Sequence, residues 1–153
     1  MRDPQRSRVY AWEDAVVARR DQSAITFEQA QMLVAGVWLA EQLLYPPKVE
    51  PMPRQARRTW ATGSRTTIRL PQDRPTPIYV ILHEVAHALS STVNGETDAH
   101  GPDFVGLYMG LLDRRLRIPT PLLMFTAKQH GVTFNLAAKP RFMEASEEGH
   151  AIC

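Results

Sequence analysis

The stretch HEVAHALSSTVNGETDAHGPDF, from His83 to Phe104, decides how the rest of the chain is read. Its 22 residues hold three of the chain's five histidines, two of them four apart with Glu84 directly after the first. On an α-helix, residues i and i+4 stack on one face with Cβ atoms about 5–6 Å apart, so His83 and His87 can aim two imidazoles at one cation. Glu84 follows about 100° further around the helix, beside such a cation rather than on it. From there a carboxylate can take a proton from a water that the metal has made acidic.

The competing reading is a helix whose histidines are core residues, and periodicity tests it. Ile78, Leu82, Val85, Leu89 and Val93 form an apolar stripe at helical spacing. His83 and His87 lie roughly 130° from the centre of that stripe, on a separate face shared with the small Ser90. The metal reading is therefore preferred. A zinc ion that does chemistry takes three protein ligands and keeps a fourth position open. His100 is the first choice for the third, because the chain can turn back over the helix before Gly101 and Pro102 start the next one. Glu96 and Asp98 in the same loop are acidic rivals. Asp103 is a candidate partner for a ligand imidazole, Tyr79 and Tyr108 are candidate extra donors or plain packing residues, and His130 and His150 are read as non-ligands.

Outward from this stretch, Thr76 as cap, Pro77 at the first helical position and the Asn94-Gly95 stop bound the histidine helix. A further helix runs from Pro102 to about Arg117, where Gly106 and Gly110 leave a smooth patch for a neighbouring helix. A short helix follows, with Thr120 as cap, Pro121 first and Gly131 as stop. Upstream, residues 8–20 suit a short helix, and Thr26 with Gln29 forms a capping-box pattern before TFEQAQMLVAGVWLAEQLLY, a helix apolar on most sides. YPPKVEPMP, residues 45–53, reads as an extended linker. TWATGSRTTIRLP reads as a strand pair, Gly63-Ser64 turning between its arms. If the strand carrying Ile68 and Leu70 lies at a sheet edge, it is free to pair with an extended peptide. The class is α+β, mostly helical, with a small antiparallel sheet beside the histidine helix. A single domain over 1–153 is expected, its core about 26–131, with 1–7 and 141–153 flexible.

Composition is that of an ordinary globular chain, 44% hydrophobic and 22% charged. One cysteine, Cys153, allows neither an intramolecular disulfide nor a C-x-x-C metal site. That usage, with an N-terminus lacking a signal-type apolar run and no apolar stretch near membrane-spanning length, leads us to expect a cytoplasmic protein with no membrane partner. Net charge is only +2, yet seven basic residues stand against two acidic ones between Lys48 and Arg74. That local excess can attract nucleic acid, although a solvated loop has the same composition.

His83-Glu84-Val85-Ala86-His87 followed by His100-Gly101-Pro102-Asp103-Phe104 resembles the SprT-like (Spartan-type) zinc metalloproteases, whose signature is H-E-x-x-H, a loop, and H-G-x-x-F. Small metallohydrolases of actinobacteria and their phages are similar. The resemblance covers residues 60 to 112 and implies a minimal zincin fold holding one zinc ion per chain on His83, His87 and His100. It implies further that Glu84 is the catalytic base, that residues 66–70 form the edge strand along which a peptide lies, and that the substrate is a protein or peptide. Many SprT-like proteins continue into a cysteine-rich zinc ribbon that has no counterpart here. Nucleic-acid contact is therefore expected to depend on Arg54, Arg57, Arg58 and Arg65. The alternative to a hydrolase is a non-catalytic adaptor or nucleic-acid-associated protein that zinc merely stabilises.

Overall fold

In the computed structural model, which describes residues 2–53 and 61–142, the helix bearing the histidine pair is the hub on which the other elements pack. The elements run α1 (Arg6–Trp12), α2 (Phe27–Ala40), β1 (Lys48–Pro51), β2 (Thr62–Gly63), β3 (Thr67–Leu70), α3 (Ile78–Leu89), α4 (Pro102–Leu116) and α5 (Thr120–Gln129). The architecture is α+β and mostly helical among the described residues, as the sequence implied. None of these helices is long and apolar enough to cross a membrane.

α3 is buried nearly all round: Ile81, Leu82, Val85, Ala86 and Ala88 are fully enclosed, and the longest helix, α4, packs along it through Phe104, Tyr108, Leu111 and Leu112. Each large apolar side chain so enclosed contributes roughly 1.5–3 kcal/mol relative to exposure. α3 also ends earlier than expected. Ser90 is its C-cap, the Ser91 hydroxyl donates to the carbonyl of His87 at 2.6 Å, and Ser91 pairs with Thr97. Val93 therefore leaves the expected apolar stripe and is 72% exposed, while Gly95, at φ 84°, turns the loop rather than the helix.

The helix starts differ from local expectation as well. Thr26 and Gln29 do form the capping box of α2. Thr76, however, pairs with Ile25 as an isolated bridge, and the first N–H groups of α3 are taken by distant side chains: Ile78 donates to Ser23 Oγ at 2.8 Å and Tyr79 to Asp21 Oδ2 at 2.7 Å. α5 likewise begins on Asp113, whose carboxylate accepts from both the amide and the hydroxyl of Thr120. Such bonds satisfy donors that a helix end leaves open.

The sheet is mixed and its order is β1-β3-β2. β2 and β3 are antiparallel, as expected, but the segment read as an extended linker supplies β1, parallel to β3 with Val49 opposite Ile68. Two expectations are corrected by this. The sheet is not purely antiparallel, and β3 is the central strand rather than the edge, because β1 and β2 occupy its two sides. The physical reason is that the backbone groups of β3 are paired along both edges, while the face carrying Ile68 and Leu70 is buried. β1 and β2 are the edge strands, and β2 packs against α3, its Gly63 so close that a Cβ there would sit 2.5 Å from the carbonyl oxygen of Glu84.

Residues 8–20 are helical but not uniform. α1 starts at Arg6 and widens after Trp12 into a π-helical turn, Glu13–Val17, before a closing turn at Ala18–Arg20. Its Val9, Trp12 and Val17 belong to the core, so the core starts well before residue 26. The smooth patch on α4 receives a segment rather than a helix. A Cβ on Gly106 would stand 1.7 Å from the carbonyl oxygen of Asn135, whose amide donates to Pro102 at 2.9 Å.

Candidate metal centre

His83 and His87 leave α3 on one side, and His100 comes back over them from the loop before α4. Their ring nitrogens converge: Nε2 of His100 is 3.2 Å from Nε2 of His87 and 3.3 Å from Nε2 of His83. Three nitrogens each about 2.0–2.1 Å from one tetrahedral zinc stand about 3.3 Å apart. The three residues thus form a group that could hold a metal ion; His83 and His100 are buried, at 3% and 6% exposure, and His87 is partly exposed.

The hydrogen bonds behind the rings test whether a cation fits. His83 Nδ1 donates to Glu13 Oε2 at 2.7 Å, and His100 Nδ1 donates to Asp3 Oδ2 at 2.6 Å. A proton held on Nδ1 leaves the Nε2 lone pair facing inward, and carboxylate-backed imidazole is the form that ligates metals. Lone pairs turned on one another at this distance repel unless a cation or a proton lies between them. The donor set fits a divalent ion.

Glu13 is itself held, since the Tyr108 hydroxyl donates to the same Oε2 at 2.6 Å. The π-helical turn carries Glu13 inward, and such turns are frequent at functional sites. Gln5 fixes the His100 loop from the other side. Its amide donates to the carbonyls of His100 and Thr133 at 2.8 and 3.1 Å, and its oxygen accepts from Thr133. Residues 1–7, expected to be flexible, thus include two that hold the centre together, Asp3 and Gln5.

Protonation follows the surroundings. Burial, then the neighbouring His83 and His100, holds His87 well below the usual histidine range, and burial outweighs Asp3 to lower His100. Both favour the neutral, ligating form. Burial also opposes a charge on His83, but the hydrogen bond and charge of Glu13, with Glu84, outweigh it and raise its pKa. Glu84 is 7% exposed, and burial pushes its carboxyl up to about 7, with His83 opposing and Glu13 adding. A divalent ion among the imidazoles favours its ionised form.

Glu84 and His83 line a cleft of about 450 Å³ together with Arg6, Tyr10, Asp14, Ala61 and Tyr79. The Tyr10 ring stacks on His83 at 5.5 Å and 20° and stands 5.1 Å from His100. Burial, then the charges of Glu84 and Glu13, raises its phenol's pKa, with Arg6 opposing. Phe104 stacks on His87 at 4.3 Å and forms the inner wall.

The rival ligands are engaged elsewhere. Glu96 is exposed on the loop, and Asp98 accepts from the amide of Asp103 at 2.8 Å, capping α4. A Cβ on Gly101 would meet that Asp98 carboxylate at 2.6 Å, so the glycine serves close approach. Its φ is an ordinary −75°, and the left-handed position falls to Ala99. Asp103 bonds Asn135 and Arg141 rather than a ligand imidazole. Tyr108 is a buried support for Glu13. His130 accepts no part in the triad; its Nδ1 donates to the carbonyl of Thr126. Of the basic patch, Arg54, Arg57 and Arg58 lie outside the described residues, as does His150. Arg65 is tucked over the rings of Trp38 and Phe142 at 5.0 and 4.3 Å and donates to the carbonyl of Tyr45.

Asp3, Tyr10 and Glu13 are the functional residues that motif reading missed. They recur at helical spacing with Arg6, beside the buried Val9, Trp12 and Val16, so one polar and aromatic stripe faces the histidines. No protein-family model matches the chain, and no curated protein or solved structure matches it either.

Proposed function

We propose that the chain is a zinc-dependent hydrolase, most simply a metallopeptidase, with His83, His87 and His100 as ligands and Glu84 as general base. The observation that carries this reading is the convergence of three Nε2 atoms within a cleft that Glu84 also lines. Nitrogen-only ligation by three imidazoles suits zinc, and three protein ligands leave one position for a substrate or water. The match of the two motifs to the SprT-like signature supports the same reading. A zinc ion held there supplies a positive charge that polarises a carbonyl and lets water lose its proton near neutral pH.

The residues of the chain do the rest. Glu84 accepts the proton of the attacking water and returns it to the leaving amine. Glu13 and Asp3 keep two imidazoles in the ligating tautomer, and Tyr108 keeps Glu13 aimed. An extended peptide pairs with the free edge of β2, which places its backbone next to Glu84.

Replacing Glu84 by Gln tests the proposal. The variant is expected to bind one zinc per chain as tightly as wild type, by metal analysis after dialysis, while peptide-library cleavage falls roughly 10²–10⁴-fold. Cleavage that survives the change removes the hydrolase reading and leaves a zinc-stabilised adaptor.

A further inference from the structure

We propose that Tyr10 is a catalytic hydrogen-bond donor of this centre, its phenol O–H stabilising the negative charge that develops on the substrate's carbonyl oxygen. The inference rests on the hydrolase reading and adds to it the group that faces the oxyanion.

Such a donor must open onto the same space as the base, hold a hydrogen not already given away, and sit on a rigid element. Tyr10 meets all three. Its ring roofs two of the three histidines, stacked on His83 and tilted against His100, so its position is tied to the metal ligands themselves. It lines the cleft with His83 and Glu84 and is 37% exposed there. α1 carries it, and the buried Val9 and Trp12 on either side anchor that helix in the core.

Arg6, one turn earlier, stands 5.7 Å from the ring centroid, and its charge counters those of Glu84 and Glu13 at the phenol. A guanidinium can only donate, so Arg6 leaves the phenol's own hydrogen available.

The other two tyrosines near the site fail. The Tyr108 hydroxyl is fully buried and given to Glu13. Tyr79 lines the same cleft, but among the described residues it makes no ring contact with a ligand histidine, whereas Tyr10 lies against two of them. Glu84 and Tyr10 thus reach the same opening from two elements, α3 and α1. One handles the proton and the other the oxyanion.

The test uses cobalt(II) in place of zinc, because its visible absorption reports both occupancy of the histidines and arrival of an anion. Wild type, Tyr10→Phe and Tyr79→Phe are titrated with cobalt and then with acetohydroxamate. Tyr10→Phe keeps the ring that packs on His83 and removes only the hydroxyl. Its cobalt affinity is expected to match wild type while its Kd for acetohydroxamate rises roughly 10-fold or more, the loss of a hydrogen bond to a charged group. Tyr79→Phe is expected to match wild type in both. Equal acetohydroxamate binding in Tyr10→Phe and wild type overturns the inference and leaves the metal reading standing, and so does a loss of cobalt affinity in Tyr10→Phe. A wild-type protein that takes up no cobalt overturns both.

Discussion

Two of the three histidines that define the centre are each held by a carboxylate, and loss of that partner is measurable apart from loss of the imidazole it holds. Glu13 and Asp3 accept the Nδ1 hydrogens of His83 and His100 at 2.7 and 2.6 Å. Changing Glu13 to Gln, or Asp3 to Asn, keeps the shape and removes the charge. Metal affinity is expected to fall about 10–100-fold in each, read by competition with a chromophoric chelator. An unchanged affinity in both would mean that the carboxylates do not orient the rings. On the hydrolase reading, loaded Asp3→Asn should keep most of its turnover, whereas Glu13→Gln also removes a charge that raises the pKa of Glu84.

At the scale of elements, α3 depends on chain that is distant in sequence. Its first amides are taken by Ser23 and Asp21, and Asp21 also accepts from the amide of Ser23 at 2.9 Å. Asp21→Ala is expected to cost about 0.5–2 kcal/mol, the usual loss for a helix cap, by chemical unfolding. β2 meets α3 at Gly63, where a Cβ would approach Glu84 Cα and Cβ to 3.0 Å as well as its carbonyl oxygen. Gly63→Ala must push the strand off the helix, at about 1–3 kcal/mol for overpacking. On the hydrolase reading, turnover should drop with it because Glu84 and β2 move apart, whereas metal affinity should hold. Thermal denaturation and chelator competition on one preparation separate the two effects.

The described chain closes around the centre from three directions: α3 gives two ligands, the loop before α4 gives the third, and the N-terminal segment gives Asp3 ahead of α1, Tyr10 on it and Glu13 just after it. An ion bound there holds these parts together only in the folded state. Zinc at about 100-fold its Kd is expected to add about 2.7 kcal/mol of stability and raise Tm by about 5–10 °C. Chelator should reverse the shift. A Tm indifferent to zinc would show that the histidines do not bind it in solution.

Much of this arrangement was legible in the chain itself. The i, i+4 spacing of His83 and His87 with Glu84 between them placed two candidate ligands and a base on one helix. His100, ahead of the Pro102 that starts α4, completed the group without help from the fold. The capping box at Thr26 and the span of α4 were equally local, because each rests on bonds between residues a few positions apart. Other features are pairings between distant segments, to which no local pattern corresponds. Lys48–Pro51 became a strand only because Thr67–Leu70 offered it a parallel partner, and that pairing put β3 at the centre of the sheet. Thr76 yielded its capping role to Asp21 and Ser23 for the same reason. Asp3 and Glu13 look like solvated charges on a short helix until that helix lies over α3, where burial makes each carboxylate the partner of an imidazole. Local spacing thus determined which atoms could meet a metal, and long-range packing decided which groups stand behind and across from them.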